Sequence, residues 1–80
     1  MEIERKIRLC SLTEVKNFIV VAGKYRCDVK VKASDKIVDG KSMMGIVSLM
    51  LSQPLTIIAQ GEDADAFAGH LDQVMSRTQQ

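Results

Sequence analysis

The hydrophobic period of this chain changes once within its first 23 residues, and that change fixes how the fold begins. Ile3, Arg5, Ile7 and Leu9 alternate with Glu2, Glu4, Lys6 and Arg8, the period-two pattern of a strand with one buried face, disturbed only by Arg5. Ser11-Leu12-Thr13-Glu14 follows, a capping box in which the serine hydroxyl accepts from the amide three residues on while the glutamate reaches back. Val15, Phe18, Ile19 and Ala22 then recur at i, i+3, i+4 and i+7, and Gly23 is placed to end the helix. A chain of 80 residues that opens in this way has room for one core, so a single domain over residues 1–80 is expected, burying about 60–65% of its unfolded surface.

The remaining segments follow the same logic. Cys27, Val29 and Val31 alternate with Asp28, Lys30 and Lys32, and Ala33-Ser34-Asp35-Lys36 turns the chain into a short strand at Ile37-Val38. Asp39-Gly40 breaks that strand, and Ser42 is a natural N-cap for a short apolar helix beginning at Met43 and Met44. Pro54 stops its continuation, Leu55-Thr56-Ile57-Ile58-Ala59 has the composition of a buried strand, and Gly61 turns the chain. Glu62, Asp63 and Asp65 fall in the expected first turn of a last helix, where carboxylates complement the helix dipole. Phe67, Ala68, Leu71, Val74 and Met75 form its apolar stripe, with fraying expected after Met75. The order βαββαβα predicts an α+β fold: a four-stranded antiparallel sheet covered on one face by three helices, its other face open and charged.

Composition narrows the function. Eleven basic against ten acidic residues give a net charge of +1, and aromatics make up 4% of the chain, which supplies neither the field nor the stacking surface that nucleic-acid binding requires. The apolar run Met43 to Leu51 is short of the ~20 residues of a membrane span. The charged start Met-Glu-Ile-Glu-Arg-Lys has no apolar leader segment, so a cytoplasmic protein away from membranes is expected. Cys10 and Cys27 form neither a disulfide framework nor a zinc motif, and the acidic run at Glu62 lacks the spaced ligands of a calcium loop. No phosphate loop, triad or pair of catalytic carboxylates is present, so neither enzyme activity nor a cofactor is expected.

Lys41-Ser42-Met43-Met44-Gly45-Ile46-Val47-Ser48-Leu49 closely resembles the regulatory-serine segment of HPr, the phosphocarrier of the bacterial sugar phosphotransferase system, in its Gram-positive form. Phe18 and Ala22, Lys24-Tyr25, Gly61-Glu62-Asp63 and His70-Leu71 also fall at family-like spacing. The resemblance implies the HPr-like open-faced β-sandwich and a cytoplasmic bacterial protein recognised by larger partners. It breaks where the family carries Gly-[Ile/Leu]-His-[Ala/Thr]-Arg-Pro-Ala. Here the chain has Cys10-Ser11-Leu12-Thr13-Glu14-Val15, and counting back from Phe18 sets Ser11 at the histidine position and Thr13 at the arginine position. Cys10, Ser11, Thr13 and Glu14 thus form a degenerate phosphoacceptor loop. A serine phosphate is a stable ester, Glu14 would repel a second anion, and His70 falls in the last helix, far along the chain from this segment.

The resemblance further implies that Ser42 is phosphorylated by HPr kinase/phosphorylase and that the phosphoprotein is a corepressor for a catabolite-control transcription factor. A helix cap alone also accounts for a serine at this position. Lys41 is the adjacent cation. Met43, Met44 and Val47 divide between core and an exposed docking patch, with Ile46 and Leu49 assigned to the core. Cys10 is either strand-end packing or a thiol activated by the following helix. The sequence therefore describes a non-enzymatic, regulatory HPr-like protein recognised through the helix at Ser42. Two alternatives stand beside it: a divergent carrier using Ser11 or Cys10, and an inherited scaffold acting as an interaction module.

Overall fold

The computed structural model of the chain describes residues 1–78. Its elements are β1 (Glu2–Ile7), α1 (Leu12–Gly23), β2 (Asp28–Ala33), β3 (Lys36–Asp39), α2 (Met43–Ser48), a 3-10 turn (Met50–Ser52), β4 (Leu55–Gln60) and α3 (Ala64–Thr78). The strands form one antiparallel sheet in the order β1-β4-β2-β3, with Ile3 opposite Ala59, Val29 opposite Ala59 and Val31 opposite Val38. β4, the most apolar strand, lies in the interior of the sheet because its neighbours satisfy both of its edges.

The helices cover one face. Val15, Phe18, Val21 and Ala22 of α1 and Phe67 and Leu71 of α3 are buried against Val29, Val31, Leu55 and Ile57 of the sheet, with Ile46 and Leu49 contributed by α2 and the residue that caps it. Phe18 and Phe67 meet edge to face at 6.3 Å between ring centroids, the arrangement that aromatic quadrupoles favour. The buried stripe of α1 includes Val21, while Ile19 is only half-buried. The stripe is rotated from the expected one because α1 rests on α3 and on α2.

Arg5 explains its own departure from the alternation. It lies on the helix-covered face with Ile3 and Ile7, and its Nε donates to both carboxylate oxygens of Asp72 on α3, at 3.2 and 3.3 Å. Gly40 is required where it stands. Its N–H donates to the Val29 carbonyl at 2.7 Å, and a Cβ there would lie 2.4 Å from a Val29 methyl.

Several expected boundaries move. β3 has four residues rather than two, because Lys36 and Asp39 join the ladder opposite Ala33 and Lys30. Leu9 is buried beyond the end of β1. α3 begins at Ala64, so Glu62 and Asp63 precede it and only Asp65 lies in its first turn. The helix also continues past Met75 to Thr78. The expected fraying concerns, in part, residues 79–80, which lie outside those described. No helix of the described residues is long and apolar enough to cross a membrane.

Candidate functional site

Two local structures carry the residues singled out from the sequence. The first is the turn from β3 into α2. Asp39 organises it: its carboxylate accepts from the Lys41 N–H at 2.9 Å, and its carbonyl accepts from the Ser42 N–H at 3.1 Å. Ser42 then caps α2, its Oγ accepting from the Gly45 N–H at 3.3 Å and its carbonyl from the Ile46 N–H at 3.1 Å. Gly45 lets the helix lie close to the sheet, since a Cβ there would come 3.1 Å from the Val38 Cβ. That approach buries Ile46 and Leu49 and leaves the opposite side of the helix outward. Ser42 is exposed, Met44 is 85% exposed, and Met43 and Val47 are 40% and 38% exposed. The methionines and Val47 therefore form a surface patch beside the Ser42 hydroxyl, with Ile46 and Leu49 as core. Lys41 is exposed, but its ammonium is engaged, donating to the Tyr25 carbonyl just beyond α1 at 3.0 Å.

The second structure is the segment from Leu9 into α1. Ser11 caps the helix, its hydroxyl accepting from the Glu14 N–H at 3.2 Å. The Glu14 carboxylate reaches one residue further back than a standard capping box, accepting from the Cys10 N–H at 2.8 Å. The negative charge at the start of α1 is thus supplied by the chain itself. Cys10, Ser11 and Thr13 are all exposed, as is Leu12 at 62%.

Sequence reasoning missed Gln53. Its amide bonds both backbone groups of buried Leu9, Oε1 accepting from the Leu9 N–H at 3.2 Å and Nε2 donating to the Leu9 carbonyl at 2.7 Å. This side chain stitches the segment before α1 to the segment after α2. The two residues are 44 positions apart, so no local pattern announces the pairing.

His70 is far from both helix starts in sequence and is half-buried, its Nδ1 lying 3.0 Å from the Tyr25 hydroxyl. Asp63, in the turn before α3, accepts from the Arg26 N–H at 2.8 Å, and that bond holds its carboxyl below the usual carboxylate range. Burial pushes the neighbouring Cys27 thiol up, and the charge of Asp63 adds to the effect. The buried, inert Cys27 and the exposed Cys10 are separate thiols. Among the described residues no group of three or more His, Cys, Asp or Glu side chains is placed to hold a metal ion.

The PTS-HPr family profile, described as the PTS HPr component phosphorylation site, matches residues 14–77. The chain belongs to the HPr family. HPr from Thermoanaerobacter tengcongensis is 26% identical, with 95% of this chain and 91% of that one covered at a TM-score of 0.75. Crh, the Bacillus subtilis catabolite repression protein, is 30% identical, with 96% and 90% covered at a TM-score of 0.72. The Mycoplasma histidine-containing phosphocarrier protein, 20% identical with 98% and 94% covered, shares the fold at a TM-score of 0.77. No curated protein sequence gives a significant match. HPr proteins are phosphocarriers rather than enzymes, and the order of elements and the bare sheet face described above are those of the HPr-like open-faced sandwich. The family match begins at Glu14, immediately after the Cys10–Thr13 segment.

Proposed function

We propose that this HPr-family chain is a regulatory protein rather than a histidyl phosphocarrier, recognised by protein partners through α2 and gated by phosphorylation of Ser42. The observation that carries this reading is the solvent-open Ser42 hydroxyl set beside exposed Met43, Met44 and Val47. Methionine-rich surfaces adapt to partners, and a phosphate on an adjacent serine adds about −2 charge to whatever docks there. Lys41 lies next in the chain and can exchange its Tyr25 carbonyl for that phosphate. A kinase of the HPr kinase/phosphorylase class is the expected modifying partner, a catabolite-control transcription factor the expected reader, and the cytoplasm the setting. The 30% identity to Crh supports the regulatory class.

Loss of the carrier role rests on the start of α1. A transferable phosphoryl group needs a nitrogen nucleophile and donors to hold it. Here the segment offers Cys10, Ser11 and Thr13, and its Cys10 N–H is already bonded to Glu14. The test is intact mass after incubation with HPr kinase and ATP, with Ser42→Ala alongside. One added phosphate on the wild type and none on the variant is the expected result. No mass change with a kinase active on ordinary HPr leaves Ser42 as a cap and favours an inherited interaction scaffold. Labelling by phosphoenolpyruvate and the general phosphotransferase enzyme would restore a carrier role at Ser11 or Cys10.

A further inference from the structure

The sheet ends at β1 on one side and at the four-residue β3 on the other. Which backbone groups β1 leaves on its outer side follows from its register with β4. The Gly61 N–H donates to the Met1 carbonyl at 2.9 Å, which makes Met1 and Gly61 a hydrogen-bonded pair. Because such pairs alternate along an antiparallel ladder, Ile3, Arg5 and Ile7 also bond inward, opposite Ala59, Ile57 and Leu55. Glu2, Glu4 and Lys6 therefore turn their N–H and C=O groups outward. One of these, the Glu4 carbonyl, accepts from Arg5 Nη1 at 3.1 Å and keeps a second lone pair.

The side chains on the open face of this strand run Glu2, Glu4, Lys6 and, just beyond it, Arg8. Two negative charges followed by two positive ones complement themselves when the strand is laid antiparallel to a copy of itself. With a two-fold axis through Arg5, Glu4 of each copy faces Lys6 of the other, Glu2 faces Arg8, and Ile3 faces Ile7 on the helix-covered side. Glu4 and Lys6 both point their backbone groups outward, so each of these pairs can exchange two ladder bonds. Slipping the register by two residues sets Glu4 against Glu4 or Lys6 against Lys6, so the charges select one alignment. Arg5, which would meet its own copy on the axis, is already neutralised by Asp72. Glu4 and Lys6 form no ion pair within the chain among the described residues.

We infer that β1 is a self-association edge through which two copies of this chain pair isologously, joining two four-stranded sheets into one continuous sheet. The occupant is a second copy because the complementarity lies within one strand and is satisfied by that strand reversed. The proposal is independent of Ser42 and of the α2 patch.

Sedimentation velocity on the full chain over a wide concentration range, at low and high salt, tests it with Lys6→Glu and the charge-swapped Glu4→Lys/Lys6→Glu. Both positions are exposed, and circular dichroism confirms that each variant is folded. The expected result is a dimer weakened by salt, a dissociation constant raised about tenfold or more in Lys6→Glu, and recovery to within about threefold of wild type in the double variant. A chain monomeric to millimolar concentration overturns the proposal. So does a dimer indifferent to Lys6→Glu, which would place the contact at β3, at the α2 patch or in an exchanged strand, and so does failure of the double variant to recover.

Discussion

Ser42 combines a structural and a proposed regulatory role that two substitutions separate. Its Oγ satisfies the Gly45 N–H at the start of α2, and loss of such an acceptor costs about 0.5–2 kcal/mol. Ser42→Ala is therefore expected to lower stability in urea unfolding by about 1 kcal/mol. Ser42→Asp keeps an acceptor at the cap and is expected to unfold within about 0.5 kcal/mol of wild type, while presenting negative charge to a partner. If both variants unfold alike, the cap bond contributes nothing and Ser42 is held by its backbone contacts to Asp39 and Ile46 alone. Glu14 shows the opposite economy at the start of α1, where one carboxylate serves the Cys10 amide and brings the charge that discourages a second anion.

At the scale of elements, the turn after α2 and the strand end before α1 are held together through the Gln53 side chain, whose amide bonds both backbone groups of Leu9. Gln53→Ala leaves a part-buried N–H and C=O without that partner, for an expected loss of about 1–3 kcal/mol in urea unfolding and faster hydrogen exchange at the Leu9 amide. Unchanged exchange there would show that another group covers Leu9 in solution. β1 and α1 were legible in the sequence because their signals are local: alternation through Ile7, then a cap, then an apolar stripe. The Ser42 patch was legible for the same reason, since a cap and an apolar run sit side by side. What was not legible is set by distance along the chain. β3 gains Lys36 and Asp39 because β2 pairs with them, not because of their residue types. Asp63 looked like the first turn of α3, yet its carboxylate bonds Arg26, 37 residues away. Lys41 was read as the cation adjacent to Ser42, and its bond to the Tyr25 carbonyl, 16 residues away, carries no local signal.

The whole molecule is a slab of 31 × 28 × 17 Å, thin because one layer of helices covers one sheet face. Among the described residues the larger buried side chains lie in that single interlayer, while the opposite sheet face has none. The bridge from β1 to α3, Arg5 to Asp72, is half-exposed and stabilises by no more than about 1 kcal/mol; cohesion rests on the apolar layer. Within it, Tyr25 stacks edge to face on Phe67 and sets its hydroxyl against His70. That contact makes the molecule optically self-reporting. Tyr25 is the chain's single tyrosine, and there is no tryptophan. An excited phenol is a far stronger acid than the same phenol in its ground state, and in the tautomer whose Nδ1 carries no proton the imidazole at this distance accepts the phenol's proton before light is emitted. The folded protein should therefore fluoresce dimly and brighten as it unfolds in urea, with the same midpoint as its circular dichroism. His70→Ala should be bright from the outset, and a dim His70→Ala would assign the quenching to another neighbour of the ring.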